Sequence, residues 1–369
     1  MSIHREPFED LFVLEIANNH WGKLDRGLRI IEEYGQVVRY NNVRAALKLQ
    51  FRDPDSFIHK DHKHRTDIRY ISKIEATYLA RHEFAELCEA VKKVGCIPMA
   101  TPFDEASVEL CGELNLPLVK LASSDLNDWV LIEKIATLGV PVIASTGGST
   151  PKDMDDLVTF FENRRIPLAL NHCVSLYPSE DSELEINQVD FLRDRYPDIT
   201  IGLSTHEYSD WTSSIMIAYA KGARTFERHV DIDDGEHDVS PYCSLPGQVD
   251  EWFKAFLKAK EMCGAPGTSK RIPPKREVEY LDALVRGVYA KRDLAPGDVL
   301  SDDDVYLAVP LLQGQMSCRE LIAGNKIVHP IEADKPVLVE DVAGPYLESP
   351  ALRSLIEHRG LPRESVSDA

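Results

Sequence analysis

A (β/α)8 TIM barrel, class α/β, followed by a small β-rich module is the architecture this 369-residue sequence predicts. Three observations carry it. Eight short apolar, β-branched runs alternate with longer segments of helical periodicity, which is the pattern of βα units around a parallel sheet. The residues that end those runs are unusually polar, as expected where a barrel gathers its chemistry at the C-terminal ends of its strands. Past residue 262 the texture changes to the Gly-, Pro- and base-rich CGAPGTSKRIPPKRE (263–277), then to short strands and tight turns.

Taken in order, the strands are LFVLEIA (11–17), RAALKLQ (44–50), IPMATPF (97–103), LPLVKLA (116–122), PVIAST (141–146), PLALNHC (167–173), TIGLSTH (200–206) and ARTFERHV (223–230). Between them LDRGLRIIEEYGQVV, FAELCEAVKKV, DEASVELCGEL, SSIMIAYAKG and VDEWFKAFLKAKEM place apolar residues at helical spacing. The expected domains are a barrel over 1–262, a linker over 263–279, a β-rich module over 280–345 marked by an APGD turn, and a polar, loosely ordered tail over 346–369.

A chain that is 43% hydrophobic buries an ample core, and a net charge of -19 argues against nucleic acid or an anionic membrane surface as main partner. A few local cations still suffice for a small anionic substrate. Seven scattered cysteines without a CxxC pair suggest neither a disulfide framework nor a structural zinc site. MSIHREPFED has no apolar signal core and no run of eighteen apolar residues occurs, so a soluble, cytoplasmic protein is expected.

Residues two apart in a strand share a face, so Lys48 with Gln50, Ser204 with His206, and Glu227 with His229 point the same way. Adjacent strands lie about 4.8 Å apart, which lets His206 and His229 converge on one divalent metal and leave positions for substrate oxygen and water. A hydrogen-bonded histidine of the barrel wall is the plainer reading of either one alone. Lys48 and Lys120 put cations into the same mouth, with Thr101, Ser123, Ser145 and Ser204 as hydroxyl donors around an anion pocket. The alternative for those lysines is pairing with Glu15 or Glu227, since an unpaired buried ammonium is costly. His59, His62 and His64 read as a solvated loop after the second strand, and GGST as a weak phosphate-turn signal.

In this order EIANNHWG, KLQF, ATPFDEAS, VKLASSDLND, VIASTGG, HCVSLYPSE, IGLSTHEYS and FERHV, followed by the β-rich module, resemble the N-acetylneuraminate (sialic acid) synthase family with its legionaminic, pseudaminic and spore-coat polysaccharide relatives, over residues 10 to 343. The resemblance makes the module an antifreeze-like (SAF) domain. It implies condensation of phosphoenolpyruvate with the open-chain aldehyde of an acylated amino sugar, giving a 2-keto-3-deoxy sugar acid and phosphate. It implies that His206 and His229 bind manganese or magnesium, and that Lys48, Thr101, Lys120, Ser123, Ser145, Ser175 and Ser204 form the phosphoenolpyruvate pocket. Glu15, Gln50, Tyr177 and Asp238 then face the sugar or the reacting centre, with Glu15 and after it Glu227 as candidate base. A domain-swapped homodimer is implied as well. Trp21 and Thr205 depart from the family pattern, and Val309 stands where the family places an Arg toward the acyl-sugar, with Gln313 or Gln315 as possible substitutes. Two rivals stand beside this reading: a phosphoenolpyruvate-dependent synthase or aldolase for a different aldose, and a catalytically silent carbohydrate-binding relative.

Overall fold

The computed structural model describes residues 6–265, 267, 269–321 and 324–363, which divide into two units, Met1–Ala265 and Pro266–Ala369. In the first unit the eight predicted runs form β1 (Leu11–Ala17), β2 (Arg44–Phe51), β3 (Ile97–Pro102), β4 (Val119–Leu121), β5 (Val142–Ser145), β6 (Leu168–Cys173), β7 (Thr200–Thr205) and β8 (Thr225–Val230). They pair in sequence order, all parallel, and β1 pairs with β8 to close the barrel. A two-residue strand, β9 (Cys243–Ser244), adds to β8. The fourth strand is shorter than the sequence suggested, because Pro117 has no N–H to give the ladder and only Val119–Leu121 pairs.

Alternation along the strands makes the interior change character with depth. Leu11 and Val13, Ala46, Met99, Leu118, Ile143 and Ala169 form an apolar plug with Phe8. Two residues further along the same faces stand Glu15, Lys48, Thr101, Lys120, Ser145 and Asn171, all buried. The apolar plug excludes water from one end, so the polar layer above it is open to ligands only from the C-terminal mouth.

The outward faces pack on the helices. Phe12 of β1 meets Phe226 of β8 at 5.6 Å between ring centroids, and the helix Pro246–Cys263 covers that seam with Trp252, Phe253 and Phe256 at 5.0, 4.6 and 4.9 Å. This aromatic cluster is where the last helix locks the first strand to the eighth. None of the helices among the described residues is long and apolar enough to cross a membrane.

The second unit carries an antiparallel pair, β10 (Gly287–Ala290) and β11 (Val305–Ala308), stitched by single bridges such as Gly287 to Ser317 and Tyr289 to Pro336. Its core holds Val288, Leu294, Met316, Ile327 and Val337 together with Ile356. The tail expected to be loosely ordered is tied to the module at two points, by the buried Ile356 side chain and by the bridge from Leu361 to Leu312.

Gly202 marks a place where the barrel interior tolerates no side chain. The Thr225 hydroxyl donates to Asn171 Oδ1 at 2.5 Å across β7, and a Cβ on Gly202 would stand against both groups. Gly202→Ala is therefore expected to lower stability by about 1–3 kcal/mol through overpacking, read as a shift in the denaturant midpoint. An unshifted midpoint would show that this layer can spread.

Candidate active site

Charge fills the centre of the barrel mouth. Lys48 Nζ contacts Glu15, reaches Glu227 Oε1 at 3.5 Å and donates to the Thr101 hydroxyl at 2.9 Å. Lys120 Nζ donates to both oxygens of Glu227, at 2.9 and 3.1 Å. All four charged groups are buried, and the lysines adopt the pairing with Glu15 and Glu227 that was their alternative reading. Burial disfavours the charge on Lys48, but Glu15 and Glu227 outweigh it and raise its pKa. Burial pushes the Glu227 carboxyl up; Lys120 and Lys48 more than offset this and hold it at about 2. Glu227 is thus a fixed anion at neutral pH.

Hydroxyls ring this cluster. Ser123 Oγ accepts from Gly147 N at 3.1 Å, and the Gly147 backbone comes so close to Ser123 and Ser175 that a Cβ there would meet both hydroxyls. The Gly of the GGST turn is therefore needed for close approach. Ser145 Oγ is buried without a partner, and Ser204 stands in register with Glu227 on β8 and Cys173 on β6. A buried hydroxyl without a protein partner is free to bond a ligand.

Next to this cluster, past Glu227 on β8 and at the end of β7, the His229 and His206 rings lie 5.3 Å apart, between centroids, with Tyr177 over them at 5.8 and 4.0 Å and Tyr242 beside Tyr177 at 5.2 Å. His206 Nδ1 meets the Val174 carbonyl at 2.8 Å; a carbonyl only accepts, so Nδ1 carries the proton and Nε2 keeps its lone pair. Burial lowers the His206 pKa to about 4 and the His229 pKa well below its usual value, and His229 Nδ1 is buried without a partner. Two neutral imidazoles with a free lone pair and an orphaned nitrogen fit a divalent cation. Among the described residues no group of three or more His, Cys, Asp or Glu is gathered to hold a metal ion.

The strand carrying His229 is tied to the turn carrying His206 from outside the barrel. Arg228, pointing away from the mouth and 1% exposed, donates to the Glu207 carboxylate at 2.7 Å, to its carbonyl at 2.8 Å and to Ser244 Oγ at 2.9 Å. The sequence reading passed over this pair, although an Arg inside the apolar alternation of FERHV was a visible signal that it needed an acid.

Gln50 joins the cluster, donating to Glu15 Oε1 at 2.8 Å. Asp238 is exposed in the loop after β8, and no described contact links it to the cluster. In that loop His237 stacks on Trp21 at 4.7 Å. His59 and His64 are exposed, in keeping with a solvated loop. In the second unit Val309 is exposed, but Gln315 is not available to replace an Arg. It is fully buried, accepting from Leu312 N and donating to Val288 O, both at 2.8 Å, because the turn needs those backbone groups satisfied. Gln313 is half-buried, its backbone bonded to Leu361 and Arg363. Two residues the sequence reading missed are Arg52, which donates to Gln50, and Asp125, whose carboxyl burial pushes up.

Paired lysines, hydroxyl donors and two open imidazoles at the C-terminal mouth of a closed (β/α)8 barrel define a TIM-barrel protein whose chemistry sits at its strand ends. Residues 41–266 match the NeuB family and residues 285–343 the SAF domain. The chain belongs to the NeuB family. It is 35% identical to a Chromobacterium violaceum protein assigned as spore coat polysaccharide biosynthesis protein E, with a TM-score of 0.86 over 91% of this chain and 100% of that one. N-acetylneuraminate-9-phosphate synthase of Drosophila melanogaster is 29% identical over 76% of each chain. The N,N'-diacetyllegionaminic acid synthase of Campylobacter jejuni is 24% identical over 81% of this chain and 90% of its own.

The buried histidines make acid stability a readout of the site. His20, in the turn after β1, also has a pKa lowered to about 4, by burial and then by Arg26. Between pH 6.5 and about 4 the unfolded chain binds protons at His20 and His206 that the folded chain refuses, so stability is full above pH 6.5 and falls as the pH drops through this window. Each shift corresponds to roughly 3 kcal/mol by pH 4. Denaturant unfolding of metal-free protein at pH 7, 6 and 5 checks this, and a flat profile would contradict the burial of these rings.

Proposed function

We propose that the chain condenses phosphoenolpyruvate with the open-chain aldehyde of an N-acylated amino sugar, forming a 2-keto-3-deoxy sugar acid and inorganic phosphate. The observation that carries this reading is the placing of two buried lysines and a ring of hydroxyls directly beside a pair of open imidazoles in one barrel mouth. An anion pocket next to a Lewis-acid site is what joining an enol phosphate to an aldehyde requires. The names of the relatives, synthases of N-acetylneuraminate 9-phosphate and of N,N'-diacetyllegionaminic acid, support the same product class.

In this reading Lys48, Lys120, Thr101, Ser123, Ser145, Ser175 and Ser204 receive the carboxylate and phosphate of phosphoenolpyruvate. The lysines are pre-positioned by Glu15 and Glu227, and an arriving anion takes over donors that those carboxylates hold. His206 and His229 hold manganese or magnesium, which when bound supplies polarisation of the aldehyde oxygen. The third carbon of phosphoenolpyruvate attacks the aldehyde carbon, and water adds at the second carbon before phosphate leaves. Glu15, in register with both Lys48 and His229, takes the proton from that water. Glu227, held at about 2, is too weak a base and serves as counter-ion to the two lysines. Gln50 orients Glu15, Tyr177 shelters the imidazoles from solvent, and Asp238 faces the sugar from the loop after β8. The working unit is a homodimer with each SAF domain serving the partner's barrel; monomers in light scattering would remove that part.

The test is phosphate release with a panel of N-acylated hexosamines and mass spectrometry of the product acid. Turnover with manganese is expected, lost in chelator and restored by metal. Phosphoenolpyruvate that binds but is never consumed across the panel would overturn the reading in favour of a silent carbohydrate-binding protein.

Two variants separate the roles. Glu15→Gln is expected to lower turnover by about 100-fold or more while phosphoenolpyruvate still binds. Lys120→Met removes a charge-assisted bond of about 1.5–3 kcal/mol and should weaken phosphoenolpyruvate roughly 10- to 100-fold in calorimetry. Unchanged affinity would place the anion pocket elsewhere.

A further inference from the structure

Arg52 is a cation beside Gln50 that the proposed reaction leaves without a task. It lies just past β2, and alternation puts it on the same face as Lys48 and Gln50, one step nearer the opening. Its Nη1 donates to Gln50 Oε1 at 2.8 Å, and its guanidinium lies 3.6 Å from the centre of the Phe103 ring. Nε is buried without a partner. Among the described residues no carboxylate comes within 4.0 Å of it to form an ion pair. Burial pushes its pKa down to about 10, against the opposing influence of Glu15, Asp125 and Asp104, so it stays charged at neutral pH. A held, partly desolvated guanidinium with an unmet donor is a recognition element rather than a solvated surface charge.

The surroundings select what it recognises. Arg52 lines a cavity of about 10 Å³ with Asn18, Gln50 and Thr77, whose remaining walls include the apolar Ile74 and Leu79. A cavity of that size has room for about one oxygen atom. The three carboxylates that act on Arg52 would also repel an anion, whereas a neutral carbonyl oxygen accepts a charge-assisted hydrogen bond without that opposition. We propose that Arg52 receives the acyl carbonyl oxygen of the acceptor sugar. This rests on the reading of the site as an amino-sugar synthase and names the residue that sets its preference for an acylated acceptor.

Reduced sugars, which lack the reacting aldehyde, separate this proposal from the reaction itself. Calorimetric binding is compared, in manganese buffer, for N-acetylated hexosaminitols of the manno and gluco series, for mannitol and glucitol, and for mannitol 1-phosphate. The full-length protein is expected to bind one N-acetylated probe at least about tenfold more tightly than its hydroxyl counterpart, the lower end of what one charge-assisted hydrogen bond supplies. Arg52→Gln should erase that advantage and Arg52→Lys should restore part of it, with phosphoenolpyruvate affinity unchanged in both. Equal binding of acylated and hydroxyl probes by the unaltered protein overturns the proposal, as does an advantage that survives Arg52→Gln or an Arg52-dependent gain seen only with the phosphate. Failure to bind or consume phosphoenolpyruvate would instead count against the proposed reaction.

Discussion

The mouth of this barrel depends on four buried charges that cancel. Lys48 bridges Glu15 and Glu227, and Lys120 holds Glu227 from the other side, so β1, β2, β4 and β8 are joined across the interior. Removing any one member would leave a charge in a medium that solvates it poorly, at a cost on the order of 3–5 kcal/mol. Such a tetrad is a poor way to stabilise a fold, because apolar residues of similar volume would do as well. In the proposed reaction the lysines are handed to phosphoenolpyruvate, and the two carboxylates hold them in place for it.

The four charges stand on a dry floor. The apolar layer of Val13, Ala46, Met99, Ile143 and Ala169 lies directly beneath the charges, and the switch from apolar to polar occurs within two residues on each strand. The strands are parallel, and the ladder steps by two residues between β2 and β3 and between β4 and β5, where Lys48 pairs with Met99 and Lys120 with Ile143. The aromatic seam of Phe12, Phe226, Phe253 and Phe256 fixes the closure of β1 on β8. The outer Arg228–Glu207 pair then sets the spacing of the two imidazoles without entering the site.

Much of the site was legible in the strand ends. Period-two alternation names which residues look inward, so Lys48, Thr101, Lys120, Ser145, Glu227 and His229 could be picked out from their neighbours alone. Arg52 was passed over because it follows the last paired residue of its strand, where alternation is no longer enforced by the ladder. Gln315 read as a free polar side chain in a turn, and Ile356 as part of a loose tail; both are buried by contacts distant in sequence, which no local pattern reports.

By itself the sequence determined the barrel, the second module and the inward-facing set, because those follow from local periodicity and from the turn residues that punctuate it. Only the tertiary structure decided how the charges pair. Glu227 could have served as a base or as a counter-ion, and it is the arrival of Lys48 and Lys120 from distant strands that fixes it as an anion at about 2. The same holds for His206, whose free nitrogen is set by the Val174 carbonyl of the preceding strand's loop. Protonation state is a property of surroundings, and those surroundings exist only once the barrel closes.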